Sequence, residues 1–125
     1  MTSCLDLPLQ VQALFAIAAW QEQVVWRPFR ERVDIHRLYG DGVTGPGPAL
    51  LRYQAGGHVP WHVHLGYEHV MVLAGAQSDE HGCAQAGTLT INRPGSCHSV
   101  TSEHGCIVLV IYEPPVRFCT PRAPV

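Results

Sequence analysis

The chain has 125 residues, 46% of them hydrophobic and 14% charged, at a formal net charge of −2. That length lets one domain bury a core without disulfides, and the composition excludes a disordered chain. All eight cationic side chains are arginines, which excludes lysine Schiff-base chemistry, and the weakly acidic balance gives no expectation of nucleic-acid binding.

In chain order, Leu7, Val11, Leu14, Phe15 and Ala18 recur at helical spacing with Pro8 near the start, which predicts a short amphipathic helix over residues 8–19. From Val24 the texture changes to short β-type segments, at 24–26, 33–39, 49–54, 58–64, 68–73, 87–92 and 106–113. Turn signals separate them, among them Gly40-Asp41-Gly42, Gly45-Pro46-Gly47-Pro48, Pro94-Gly95 and His104-Gly105. Many short strands at turn-length intervals predict an antiparallel sandwich or barrel. Arg27, Arg30, Arg32 and Arg37, interrupted by Glu31 and Asp34, fit a solvated edge strand. The prolines from Pro114 onward keep the tail out of any central strand. The expected division is an N-terminal segment at 1–23, a barrel at 24–117 and a tail at 118–125.

The longest strongly apolar run, Cys106–Tyr112, is too short to span a bilayer, so no membrane association is expected. No basic residue precedes Arg27, so a secretory start is not expected either, and cytoplasmic residence is the default. The five cysteines, Cys4, Cys83, Cys97, Cys106 and Cys119, contain no Cys-x-x-Cys pair and are expected to be reduced. Cys97 stands beside His98, yet its plainer role is that of a small half-buried hydrophobe.

The chemistry lies between Gly56 and Gly75. Side chains alternate along a strand, so His62 and His64 share one face, about 7 Å apart, while Trp61 and Val63 point away. Gly66 breaks the strand, and a hairpin would return Glu68 to the two histidines. His98, after the Pro94-Gly95 turn, can supply a third nitrogen from another strand. Three imidazoles and a carboxylate suit one divalent transition metal per chain, with zinc, iron, manganese, nickel or copper as candidates. His36, His81 and His104 are ordinary polar histidines on this reading, His69 is packing beside Met71 and Leu73, and His58 is a candidate supporting group.

These residues resemble the cupin superfamily. Gly56, His62, His64, Glu68 and Gly75 meet its first motif without a gap, and Gly87, Gly95 and His98 meet most of the second, which departs at Arg93 and Ser102. More narrowly, Gly66-Tyr67-Glu68-His69-Val70, Ser78-Asp79-Glu80-His81-Gly82, Arg93-Pro94-Gly95-Ser96-Cys97-His98 and Glu103-His104-Gly105-Cys106 are similar to the cupin domain of ChrR-type anti-sigma factors. The resemblance implies an all-β double-stranded β-helix, a cupin jelly-roll barrel of two antiparallel sheets, here with a short N-terminal helix. The ion would lie inside the barrel. Only about 25 residues precede that barrel, with one cysteine and no histidine, so the helical zinc domain of those anti-sigma factors is not expected and neither is sigma-factor binding.

Two functions follow from the resemblance, the first expected ahead of the second. One is a sensory or regulatory cupin that recognises a small ligand or oxidant in the barrel. The other is a metal-dependent dioxygenase acting on a small dicarbonyl or aromatic substrate, with a pocket lined by residues such as Trp61, Val70 and Val72. Tyr53, Tyr67 and Glu103 are candidates to enter that pocket. Strands 68–73 and 106–112 are apolar on both faces, so the N-terminal helix and a second subunit are expected to cover the outer face, as a symmetric homodimer.

Overall fold

In the computed structural model, described over residues 7–42, 47–112 and 117–118, ten antiparallel strands curl into a half-barrel with one short helix outside it. The strands are β1 (Arg27–Arg30), β2 (Val33–Arg37), β3 (Ala49–Tyr53), β4 (Gly57–Val63) and β5 (Glu68–Asp79). They continue as β6 (Gly82–Gln85), β7 (Leu89–Asn92), β8 (Cys97–Ser102), β9 (Cys106–Tyr112) and β10 (Arg117–Phe118). Their order across the curl is β1-β2-β3-β9-β5-β8-β4-β10, with β6 and β7 also paired to β5. The expected all-β jelly-roll architecture is thus present.

Alternation supplies the core. Val33 and Ile35 of β2, Leu51 and Tyr53 of β3, and Val108 and Val110 of β9 all point inward, meeting Val59, Val70 and Val100 from the other strands. The outer faces of β3, β5 and β9 are apolar too, at Leu50, Leu73 and Ile107. Helix α1 (Ile17–Trp20), flanked by 3-10 turns at Leu14–Ala16 and Gln21–Gln23, covers them by seating Ile17, which is fully buried.

The helix differs from the expected one. Its packing residues are Leu14, Ile17 and Trp20, while Leu7 and Phe15 are exposed; residues 7–13 adopt no helix, and Pro8 lies outside it. Spacing alone could not choose between two overlapping apolar stripes, and the bare patch over Leu50, Leu73 and Ile107 selected the one carrying Ile17. The first strand also lies later than expected, at Arg27–Arg30, and β6 and β10 had no expectation at all. Among the described residues β10 lies on an edge, pairing only with β4, in keeping with a tail barred from central strands. Residues 113–116 and 119–125, the Gly45-Pro46 turn, Cys4 and Cys119 fall outside the described residues.

Two bulges aim the strands. Between β4 and β8, Val59 opposes Val100 but His62 opposes His98, so β4 carries one extra residue around Pro60 and Trp61. The inward set therefore switches from Gly57 and Val59 to His62 and His64. Pro60 tolerates this position because it has no N–H to lose. On β5, Val72 opposes Val108 and Ala74 opposes Ile107, leaving Leu73 as the extra residue. Inward positions then run Glu68, Val70 and Val72 before the bulge, and Gly75 and Gln77 after it. Gly75 sits at φ 73°, and a Cβ there would overlap the Gly105 carbonyl oxygen. Only glycine fits that approach of β9 to β5.

A candidate metal centre

His62 on β4 and His98 on β8 are direct cross-strand partners, His64 follows β4, and Glu68 opens β5. The structure brings these four expected residues together: one ligand atom from each lies within 4.8 Å of all the others, and every one of the side chains is buried. The three imidazoles sit edge to face, with ring centroids 4.7 to 5.0 Å apart. Such a His/His/Glu/His cluster is compatible with a single divalent metal.

The tautomers are fixed by what lies behind each ring. His62 Nδ1 is 2.8 Å from the Pro60 carbonyl, and His64 Nδ1 is 3.1 Å from the Ser96 carbonyl and 2.9 Å from its Oγ. His98 Nδ1 is 2.8 Å from Asp79 Oδ2. Carbonyl and carboxylate oxygens only accept, so each neutral ring carries its proton on Nδ1 and turns a bare Nε2 lone pair inward. Glu68 Oε1 accepts from Asn92 Nδ2 at 3.2 Å.

The inward nitrogens test whether the cluster suits an ion. Among the described residues, Nε2 of His64 and of His98 are buried with no hydrogen-bond partner; His64 Nε2 lies 3.1 Å from Glu68 Oε1, but two acceptors facing each other make no hydrogen bond. A buried acceptor left unsatisfied costs about 1–3 kcal/mol. A cation among them removes that cost and the repulsion together. The residues therefore fit a divalent ion, which would be held by His62, His64, Glu68 and His98.

Burial lowers the His62 pKa, with His98 and His64 acting the same way against the bond to Pro60. For Asp79, burial acts upward, but the hydrogen bonds from His98 and the His81 N–H outweigh it and the carboxyl stays below its ordinary value. Both shifts leave the groups in the forms a metal centre needs: a neutral imidazole and an ionised carboxylate.

One side of the cluster faces a cavity of about 60 Å³. Its lining is mainly apolar, from Phe29, Val59, Val70, Val100, Tyr112 and Phe118, with Gln77 and Tyr53 as polar contributors. β10 lays Phe118 beside His62, ring centroids 5.5 Å apart, and the Arg30 guanidinium stacks on both Phe118 and Phe29. Tyr53 is buried there, and burial, followed by the nearness of Cys106 and Glu68, raises its phenol pKa strongly. It remains a protonated donor.

Other expected contributors are elsewhere. Trp61, Tyr67 and Glu103 are exposed, and Val72 packs into the core without reaching the cavity. His58 is turned away by the β4 bulge and bonds Thr101 Oγ1, so it supports no ligand. His69 is half-buried on the outer face between Ile91 and Ile111, a packing position. Cys83, Cys97 and Cys106 are free thiols, Cys97 half-buried. Asp79, Asn92, Ser96, Phe29 and Phe118 had been given no role from sequence. Of these, Asp79 lies within Ser78-Asp79-Glu80-His81-Gly82 and Ser96 within Arg93-Pro94-Gly95-Ser96-Cys97-His98, so both stood in segments that carried a signal.

Similar folds occur among solved structures. ChrR of Rhodobacter sphaeroides, an anti-sigma factor crystallised in complex with SigE, shares 32% identity over 73% of this chain, with a TM-score of 0.64. This chain spans only 49% of that one. An RmlC-like cupin of Ralstonia eutropha JMP134 shares 23% identity, covering 76% of this chain and 66% of its own, with a TM-score of 0.66. An acetylacetone dioxygenase of Acinetobacter johnsonii shares 14% identity, covering 96% and 82%, with a TM-score of 0.71. At those two identities the likeness is one of fold alone. No curated protein matches the chain.

The ChrR structure corrects one expectation. The sequence gives no expectation of sigma-factor binding because of what precedes the barrel, but the similar anti-sigma factor is seen bound to a sigma factor, and where this chain begins has no bearing on partners. Among the described residues no helix is long and apolar enough to cross a membrane. A family model for the ChrR cupin-like domain matches residues 16–115, most of the barrel together with its covering helix, and the chain belongs to that family.

Proposed function

We propose that this protein is a metal-dependent cupin dioxygenase acting on a small dicarbonyl or aromatic compound. The observation that carries the reading is the apolar cavity beside the cluster: His62, Glu68 and His98 form part of its wall. A purely structural ion would be enclosed on all sides by protein. A bound divalent iron, manganese, nickel, copper or zinc ion would supply Lewis acidity and, where redox-active, a site for oxygen chemistry.

The chain's own residues do the rest. Val59, Val70, Val100 and Phe118 exclude water and favour an apolar substrate body. Tyr53 and Gln77 offer donors to an oxygen atom on a bound compound. The 60 Å³ volume favours a substrate of few heavy atoms. Iron-reconstituted protein should consume oxygen with at least one member of a panel of β-dicarbonyl and catecholic compounds. Silence across that panel with each candidate metal would overturn the reading.

A second reading, a sensory or regulatory cupin, is favoured by the 32% identity to ChrR. On that reading the cavity would bind an effector and the protein would contact a sigma factor, which co-purification would test. A barrel bounded at 24–117, homodimeric assembly and cytoplasmic residence accompany both readings.

A further inference from the structure

The hairpin from β5 to β6 turns on Glu80 and His81, with Asp79 opposite Gly82. Its two carboxylates reach the same neighbour, β8. Glu80 accepts from the Ser99 N–H at 2.8 Å and from the Ser99 hydroxyl. Asp79 divides its oxygens: Oδ1 accepts from the His81 N–H at 2.8 Å, and Oδ2 accepts from His98 Nδ1 at 2.8 Å. The ladder between β5 and β8 contains a single paired position, Ser78 with Thr101. At His98 the link is therefore made by side chains.

The two carboxylates do different things. Glu80 grips backbone and hydroxyl, which is enough to hold the strand. Asp79 grips the imidazole itself, on the side away from the ion site. The groups behind the other ligands, the Pro60 carbonyl, Ser96 and Asn92, are all neutral, so Asp79 is the charged one. Together with Glu68 it would balance a divalent ion.

Resting on the metal reading above, we propose that Asp79 is a positioning residue of the metal centre, fixing the Nδ1–H tautomer of His98 and strengthening its Nε2 as a ligand. A carboxylate behind a ligating histidine orients the ring and raises its basicity, and losing such a partner typically costs about 10–100-fold in metal affinity. Glu80 belongs to the strand clamp and not to the centre.

The test is chelator competition for zinc and cobalt on the full chain, for wild type, Asp79→Ala, Asp79→Asn and Glu80→Ala, each checked for folding by circular dichroism. Asp79→Ala should weaken binding about 10–100-fold and shift the cobalt absorption bands. Asp79→Asn, which keeps an acceptor oxygen, should recover part of the loss, and Glu80→Ala should stay within about threefold of wild type. Asp79→Ala binding as tightly as wild type, or Glu80→Ala losing as much as Asp79→Ala, would overturn the inference while leaving the metal site standing. Wild type that takes up neither ion would overturn the metal reading and the inference with it.

Discussion

His62 has two other imidazoles within 5.0 Å between ring centroids, and its neutrality is set chiefly by burial. Its folded pKa lies below the ordinary 6.5, so near that pH the unfolded chain takes up a proton that the folded chain refuses. The contribution to stability is present above pH 6.5 and is lost as the pH falls through the folded pKa. Urea denaturation of chelator-treated protein from about pH 7.5 down to about 5.5 should show this decline. A flat profile would contradict the assignment. Saturating zinc should raise stability most at the upper end, because protons compete with the ion for the same Nε2 atoms.

At the scale of elements, the outer face of the sheet and the two bulges matter most. Ile17 is fully buried against Leu50, Leu73 and Ile107, so Ile17→Ala should cost about 2–5 kcal/mol by urea titration. A loss below about 0.5 kcal/mol would mean that α1 does not cover that face. The bulges explain which readings of the sequence succeed. Plain alternation puts His62 and His64 on one face, and it is right because both follow the extra residue near Pro60. The same rule points His58 with them and fails, because the bulge lies between. On β5 the extra residue at Leu73 brings Gln77 to the cavity, and no local pattern marks it. A bulge is a property of two paired strands, so one strand's sequence shows only hints of it, such as a proline or a glycine.

At the scale of the molecule, the fold was legible because glycines such as Gly56 and Gly75 have backbone demands that leave a fixed spacing in the chain. The ligands were legible because His62, His64 and Glu68 lie close in sequence, but the expected hairpin is not what joins them: β5 pairs with β7 and β9 at Glu68, not with β4, and the curl of the sheet brings the carboxylate to the histidines. Asp79, Asn92 and Phe118 reach the site through long-range pairing, and the cavity walls come from six or more strands. That is why the centre, with Tyr53 and Val70 beside it, could be read from sequence while the rest of its surroundings could not. A cation among the inward-facing lone pairs is the central claim. Its most direct test is the metal content of untagged protein purified without chelators, together with His98→Ala. Wild-type protein should carry about one divalent ion per chain, and the variant should hold it at least tenfold more weakly. A folded wild-type protein that carries no ion and takes up none of the candidate metals would contradict that claim.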